Sequence, residues 1–173
     1  MKRLSAFFIF AVLTYPTAAQ KKESNASLAD TISWMTNFTY NHGYLLEAGT
    51  MMQTVRLSAV EGCTVQVEHQ YLQSRTAGQI KRQTERLELG DFDPEKVKVL
   101  TRNSQNTESF EVDFERSDSA DKIVADMEMG DGTKTRGHSA NEWIFMDSQE
   151  SASRLATALT HAIKLRGGKP APF

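Results

Sequence analysis

The chain closes with the sequence DSQESASRLATALTHAIKLRGG, residues 147–168. Six apolar side chains recur in it at steps of three and four residues: Ala152, Leu155, Ala156, Leu159, Ala162 and Ile163. That spacing predicts an α-helix with one apolar face. Asp147 and Glu150 have the spacing of an N-terminal capping box, and Gly167-Gly168 is typical of a helix end. Because the alanines are small, we expect this helix to sit close to the layer that it covers.

That layer is indicated by segments in which apolar and polar side chains alternate, the pattern of a half-buried β-strand. The clearest segment is residues 110–115, where Glu111, Asp113 and Glu115 are expected on a solvated face. The other predicted strands lie within residues 53–59, 63–71, 80–89, 97–99, 123–129, 133–138 and 143–146. Turn signals such as Gly130-Asp131-Gly132 separate them, which favours antiparallel hairpins.

A shorter helix is predicted before the strands. Ser27 and Asp30 have capping-box spacing, Ile32 and Met35 begin an apolar face, and Gly43 is well placed to end the helix. The sequence therefore predicts an α+β fold. The expected order is a helix, about seven strands paired as antiparallel hairpins, and a second helix.

The first nineteen residues have the layout of a secretory signal peptide. Lys2 and Arg3 precede a short apolar run at residues 7–13, and small residues lead up to Gln20. The alternative is a buried N-terminal strand or helix. We expect an exported protein, periplasmic or extracellular, whose mature chain begins at Gln20. The expected organisation is a signal peptide at 1–19, a flexible leader at 20–26, one α+β domain at 27–169 and a tail at 170–173.

Composition limits the function classes. The chain has 173 residues with 20 basic and 22 acidic side chains. Lys2 and Arg3 lie in the signal region, which leaves 18 basic and 22 acidic side chains in the mature chain. That balance argues against a broad nucleic-acid surface. No second long apolar run follows Leu13, so we expect no transmembrane segment in the mature chain.

The single cysteine, Cys63, has no partner for an intramolecular disulfide. Its apolar neighbours in register indicate a half-buried strand residue that packs as a small hydrophobe. An intermolecular disulfide and a reactive nucleophile are the alternatives.

We find no motif that carries a reaction, and the sequence predicts no catalytic, cofactor-binding or metal site. The four histidines, His42, His69, His138 and His161, lack the spacing of a metal-binding pair. Asp91, Asp93 and Glu95 flank Pro94 and are interpreted as a turn. Five cations on two segments are interpreted as a solvated face, with an anion site as the alternative: Lys81, Arg82, Arg86, Lys96 and Lys98.

Several stretches resemble a family of uncharacterised bacterial exported proteins. They are the opening helix SLADTISW at 27–34, the segments EGCT at 61–64 and DFDP at 91–94, and residues 143–169 ending in Gly-Gly-Lys. The resemblance implies a pleckstrin-homology-like arrangement. This is a bent antiparallel sheet or partly open barrel of about seven strands, with an N-terminal helix and a C-terminal capping helix that closes one end. Relatives carry a cysteine before the glycine pair, where this chain has Arg166. The family has no established activity to carry over, and its fold implies a binding or scaffolding role.

Together these observations favour a non-enzymatic exported domain that binds an unknown protein or peptide, for example as a strand added to a sheet edge. One alternative is a carrier with a small hydrophobic ligand between sheet and helix. A second is an enzyme whose site the fold assembles from His69, His138 and carboxylates.

Overall fold

The computed structural model describes residues 26–47, 50–60, 64–73, 78–104 and 107–170. These residues form two α-helices and nine β-strands. The helices are α1 (Leu28–His42) and α2 (Gln149–Leu165). The strands are β1 (Tyr44–Glu47), β2 (Thr50–Ala59), β3 (Thr64–Tyr71), β4 (Ile80–Glu88), β5 (Lys98–Ser104), β6 (Thr107–Glu115), β7 (Ile123–Met129), β8 (Lys134–Ser139) and β9 (Asn141–Met146). A 3₁₀ turn at Leu89–Asp91 follows β4.

The strands build two antiparallel sheets. The larger sheet has the order β1-β2-β3-β4-β7-β8, and the smaller one has the order β5-β6-β9. Each sheet turns one face toward a shared core. The apolar side chains that alternate along a strand are therefore buried, and most of the polar side chains between them face outward. The two sheets have separate strand orders and do not close into one barrel.

The first helix starts and stops where its sequence directs. Ser27 accepts a hydrogen bond from the Asp30 backbone N–H, and the Asp30 carboxylate accepts one from the Ser27 N–H, which completes the predicted capping box. The helix ends at Gly43, whose carbonyl accepts a hydrogen bond from the Val55 N–H at 2.7 Å. A Cβ added to Gly43 would overlap the Val55 carbonyl oxygen, so only glycine allows this close approach.

The closing helix α2 packs on the smaller sheet and against α1. Leu155 and Leu159 are fully buried, as are Ala152 and Ala162. Its N-cap is Ser148, which accepts a hydrogen bond from the Ser151 N–H. The predicted Asp147–Glu150 box is therefore wrong by one residue. Asp147 instead contacts His42 at the end of α1.

The predicted α+β architecture, with a helix at each end of an antiparallel sheet region, is confirmed. The described strands number nine where about seven were expected, and they form two sheets where one bent sheet was expected. Strand β1 was missed because its sequence Tyr-Leu-Leu-Glu does not alternate. No helix in the described ranges has the length and apolar character needed to cross a membrane. Cys63 and the signal region lie outside the described residues.

One expectation for β6 is wrong. Asp113 and Glu115 are half-buried, but only 2% of the Glu111 surface is exposed. Arg102 on β5 holds the Glu111 carboxylate with two hydrogen bonds, at 2.8 Å from Nε and 2.6 Å from Nη2. The sequence pattern could not reveal this partner, because β5 carries Arg102 to Glu111 through strand pairing.

We therefore expect unequal effects from neutralising these carboxylates. Glu111→Gln should lower the free energy of unfolding by about 1–3 kcal/mol, because a charged bidentate hydrogen bond is lost at a buried site. Asp113→Asn should change it by about 0.5 kcal/mol or less, as is usual for a surface substitution. Urea titration of both variants tests the difference, and equal midpoints would contradict the pairing.

Candidate functional site

A cluster of buried polar side chains lies between the two sheets. His69 on β3, Glu85 on β4 and Glu142 on β9 are each at most 2% exposed. In all three strands the polar residue occupies an inward position. His69 continues the inward series of β3, and Glu85 and Glu142 each stand two residues before a buried apolar side chain. Strand pairing therefore carries three ionisable groups into the core.

The histidine ring is the centre of this cluster. Its Nε2 atom lies 2.8 Å from Glu142 Oε1 and 3.7 Å from Glu85 Oε2. Its Nδ1 atom lies 2.9 Å from the Gln53 side-chain amide on β2. The ring also packs against Trp143, with 4.3 Å between ring centroids. His69 thus connects the larger sheet to β9 of the smaller sheet.

The two carboxylates have different surroundings. Glu142 Oε1 also accepts a hydrogen bond from the Trp143 backbone N–H at 3.1 Å. Glu85 Oε1 accepts one from the Gln83 amide. Glu85 Oε2 is buried and receives no N–H or hydroxyl hydrogen bond from the described residues, although the Glu85 and Glu142 carboxyl groups are close enough to share a proton. A buried oxygen in this state is costly, so this atom marks a place for a proton or a cation.

Burial controls the ionisation of the cluster. It lowers the pKa of His69 to about 4, although the nearby Glu85 charge acts to raise it. Burial raises the pKa of Glu85 to about 8, with a further rise from the Glu142 charge. The pKa of Glu142 is raised as well, again chiefly by burial. Burial therefore favours the protonated form of these carboxyl groups and the neutral form of His69 in the folded protein.

The arrangement can hold protons that the unfolded chain would release. Two protons among the three groups leave the cluster uncharged, which is the favourable state in a core of low dielectric constant. A proton that moves along the 2.8 Å contact from Glu142 to His69 changes its place within the cluster, but the number of protons in the cluster stays the same. The same donors can serve as metal ligands, since imidazole nitrogen and carboxylate oxygen bind divalent cations.

The sequence analysis predicted no site residues and so did not identify this cluster. It did name His69, His138 and carboxylates as the groups from which the fold could assemble an enzyme site. The structure brings His69 and two carboxylates together, but His138 lies exposed on β8. A signal for the carboxylates was present. Glu85 is in phase with the inward Leu87, and Glu142 is in phase with the buried Ile144. A charged residue that alternates in phase with the inward apolar residues of its strand is expected to be buried with a polar partner.

The other sequence candidates are placed elsewhere. His42 Nδ1 lies 2.7 Å from Asp147 Oδ2, and His161 Nε2 lies 3.1 Å from the Ala26 carbonyl. The five cations do not form one patch, because β4 and β5 belong to different sheets. On β4, Lys81 lies 3.3 Å from Glu128, as expected for a solvated charged face. The Asp93 carboxylate accepts a hydrogen bond from the Glu95 N–H, which agrees with a turn.

An open groove runs between α1 and α2 on the outside of the molecule. Its volume is about 720 Å³, and its lining is mostly apolar. Trp34 stacks on Phe38 at 4.4 Å between centroids, and the Arg154 guanidinium lies 4.9 Å from the Phe38 ring centre. Asp30 and Glu150 also line the groove. The bottom of the groove between the two helices is therefore aromatic and apolar, and carboxylates lie at its side.

A second concavity, of about 560 Å³, lies on β4, β7 and β8. Charged side chains line it, and they pair with one another. Arg136 Nε lies 2.7 Å from Asp126 Oδ1, and Arg82 lies 3.9 Å from Glu128. Exposed pairs of this kind are typical of a solvated sheet face.

Comparison with known proteins adds no relative from which a role could be transferred. No family model, no curated protein and no solved structure matches this chain.

Proposed function

We propose that this chain is an exported, non-enzymatic binding domain, and that the groove between α1 and α2 holds an amphipathic helix of a partner protein. The single observation that carries the proposal is the apolar groove with Trp34 and Arg154 in its lining. Tryptophan and arginine are the residues that most often dominate binding energy at protein interfaces. The pleckstrin-homology-like resemblance and the signal-like first nineteen residues support an exported binding role in the same direction.

The shape of the groove favours a helix as its occupant. The lining on α2 extends from Glu150 to His161, which corresponds to about 16 Å or three helical turns. A helix laid against two antiparallel helices buries one apolar stripe, the usual mode of helix-in-groove recognition. Asp30 and Glu150 contribute two negative charges to the lining and Arg154 contributes one positive charge, so the carboxylates outnumber the guanidinium. The partner helix should therefore combine an apolar stripe with lysine or arginine beside it.

The carrier alternative has weaker support. Ala152, Leu155 and Leu159 are fully buried where α2 meets the sheet, so that interface is close-packed. A ligand placed there would have to separate the helix from the sheet. The open groove on the other side of α2 requires no such movement.

Two fluorescent 14-residue peptides test the proposal. Both carry the same leucine stripe on a helical pattern, and their polar positions are all lysine in one and all glutamate in the other. We expect the lysine peptide to bind the mature chain saturably in fluorescence anisotropy. The glutamate peptide should bind at least tenfold more weakly, because the two carboxylates of Asp30 and Glu150 outnumber the single guanidinium of Arg154 and repel its charges.

The matched variants are Thr157→Arg in the groove and Asn103→Arg on β5, both at exposed positions. Thr157→Arg should weaken binding of the lysine peptide at least tenfold, and Asn103→Arg should leave it unchanged. Equal binding by both variants, or no binding of the lysine peptide, would reject the groove. Phosphatidylglycerol vesicles are the competing probe. If they bind and the lysine peptide does not, the groove is a lipid site and the peptide proposal fails.

A further inference from the structure

The buried cluster has the donor set of a metal site. His69 offers Nε2, and Glu85 and Glu142 each offer a carboxylate oxygen, with the three atoms within 4.8 Å of one another. A tetrahedral Zn²⁺ with bonds of 2.0–2.2 Å separates its ligands by about 3.3–3.6 Å. The observed separations from Nε2, 2.8 Å to Glu142 and 3.7 Å to Glu85, lie on either side of that range. Small side-chain rotations would equalise them.

One of these donors has no partner except the neighbouring carboxyl group. Glu85 Oε2 is buried and receives no N–H or hydroxyl hydrogen bond within the described part of the chain, and only a proton shared with Glu142 can satisfy it in the metal-free protein. The other Glu85 oxygen is held by Gln83, so the carboxylate is fixed with Oε2 toward His69. A cation between these atoms would satisfy that oxygen.

Charge also favours a divalent ion. Two glutamates and one divalent cation sum to zero, and His69 is neutral when it acts as a ligand. A filled site would bury no net charge, as a core of low dielectric constant requires.

The surrounding hydrogen bonds suit a liganding histidine after one change, a turn of the Gln53 amide. A liganding histidine donates its second ring N–H to an oxygen, which orients the ring and fixes its tautomer. In the structure the Gln53 side-chain nitrogen lies 2.9 Å from Nδ1 and donates a hydrogen bond to it. Turning that amide by a half-rotation presents its oxygen to Nδ1–H and leaves Nε2 free for the metal.

From this geometry we infer that His69, Glu85 and Glu142 bind one divalent transition-metal ion, best Zn²⁺, and that the ion joins the two sheets. His69 and Glu85 belong to the larger sheet and Glu142 to the smaller one. Because the cluster is buried, the ion enters when the chain folds or opens. This inference does not depend on the proposed function of the groove.

The test is to unfold the mature chain in urea with EDTA, remove the chelator, and refold it with ZnCl₂. After gel filtration, we expect one zinc per chain by elemental mass spectrometry and a higher melting temperature than for the metal-free protein. Refolding with CoCl₂ should give visible absorption bands of a bound ion with nitrogen and oxygen ligands. A folded protein that carries no stoichiometric zinc after this treatment would overturn the inference.

The variants assign the ligands. Glu85→Gln should weaken zinc binding at least tenfold, while Glu111→Gln, which neutralises a buried glutamate outside the cluster, should leave one zinc per chain. Equal zinc content in both variants would reject Glu85 as a ligand and with it the site. If Glu85→Gln does not fold, Glu85→Asp replaces it. The shorter carboxylate keeps the charge but withdraws the oxygen, so the same loss is expected.

Discussion

Between pH 6.5 and pH 8 the unfolding free energy of the metal-free protein should fall steeply. Glu85 has a pKa raised from 4.5 to about 8 in the folded protein, and the pKa of Glu142 is raised too. A carboxyl group whose pKa is higher in the folded than in the unfolded protein contributes its full stabilisation below the unfolded-state pKa. That stabilisation is lost as the pH rises through the folded-state pKa. Each proton held only by the folded state contributes a slope of about 1.4 kcal/mol per pH unit.

His69 acts with the opposite sign and in a different window. Its pKa is lowered from 6.5 to about 4, so its contribution is present above pH 6.5 and is lost as pH falls toward 4. Between pH 4.5 and 6.5 it therefore opposes the carboxyl groups, which places the steepest fall above pH 6.5. The neighbouring Tyr71 has a pKa raised to about 12, chiefly by burial, and stays protonated throughout.

Urea titrations in EDTA buffer, repeated across this pH range, measure the slope. Glu85→Gln should remove about half of it, because one of the two proton sites is gone. Glu111→Gln should keep the parent slope, since that residue is buried beside Arg102 and lies outside the cluster. A parent profile that is flat from pH 6.5 to pH 8 would show that the carboxyl groups are ionised in the folded state.

Truncation of either central leucine of α2 should cost about 2–5 kcal/mol of unfolding free energy. Leu155 and Leu159 are fully buried one turn apart, and both face the shared core. Their neighbours Ala152 and Ala162 are also fully buried, so few atoms can move into the void left by Leu→Ala. The expected loss is a large share of the stability of a domain of this size.

The matched control is Thr157→Ala on the same helix. Thr157 is exposed, and its hydroxyl donates a hydrogen bond to the Ser153 carbonyl one turn earlier. Alanine has the higher helix propensity, so this variant should be neutral or slightly more stable. Thermal melts of the three variants decide the matter. Leucine variants that melt with the parent would mean that α2 does not rest on the core.

The helices were predictable because their signals are local. The Ser27–Asp30 box and the stop at Gly43 act within a few residues of the helix that they limit, and the structure has both. The start of α2 was misplaced by one residue for a non-local reason. Asp147 is taken by His42, which is 105 residues away, and Ser148 serves as the cap.

The buried cluster was predictable only in part. The phase of β4 and β9 places Glu85 and Glu142 inward, so their burial could be read from the alternation with Leu87 and Ile144. The contact of these two glutamates with His69 could not be predicted from the sequence. Strand β9 belongs to the other sheet, and the relative placement of two sheets is a property of the whole core. Glu111 was assigned to solvent for a different reason: Arg102, which covers it, lies on β5, the neighbouring strand of the same sheet, and the pairing of those two strands is not visible in the alternation of β6.

The contact between the first and last helices has a consequence for the order of folding. The Asp147 N–H donates a hydrogen bond to the His42 carbonyl, and Arg154 covers the aromatic rings of α1. While the ribosome is making the chain, α1 has no second helix to rest on until α2 has emerged, since the contacting residues His42 and Asp147 are 105 positions apart. Contacts of such long sequence separation form slowly, because a large loop must close first. The helix pair should therefore be a late event in folding, after the hairpins of the larger sheet.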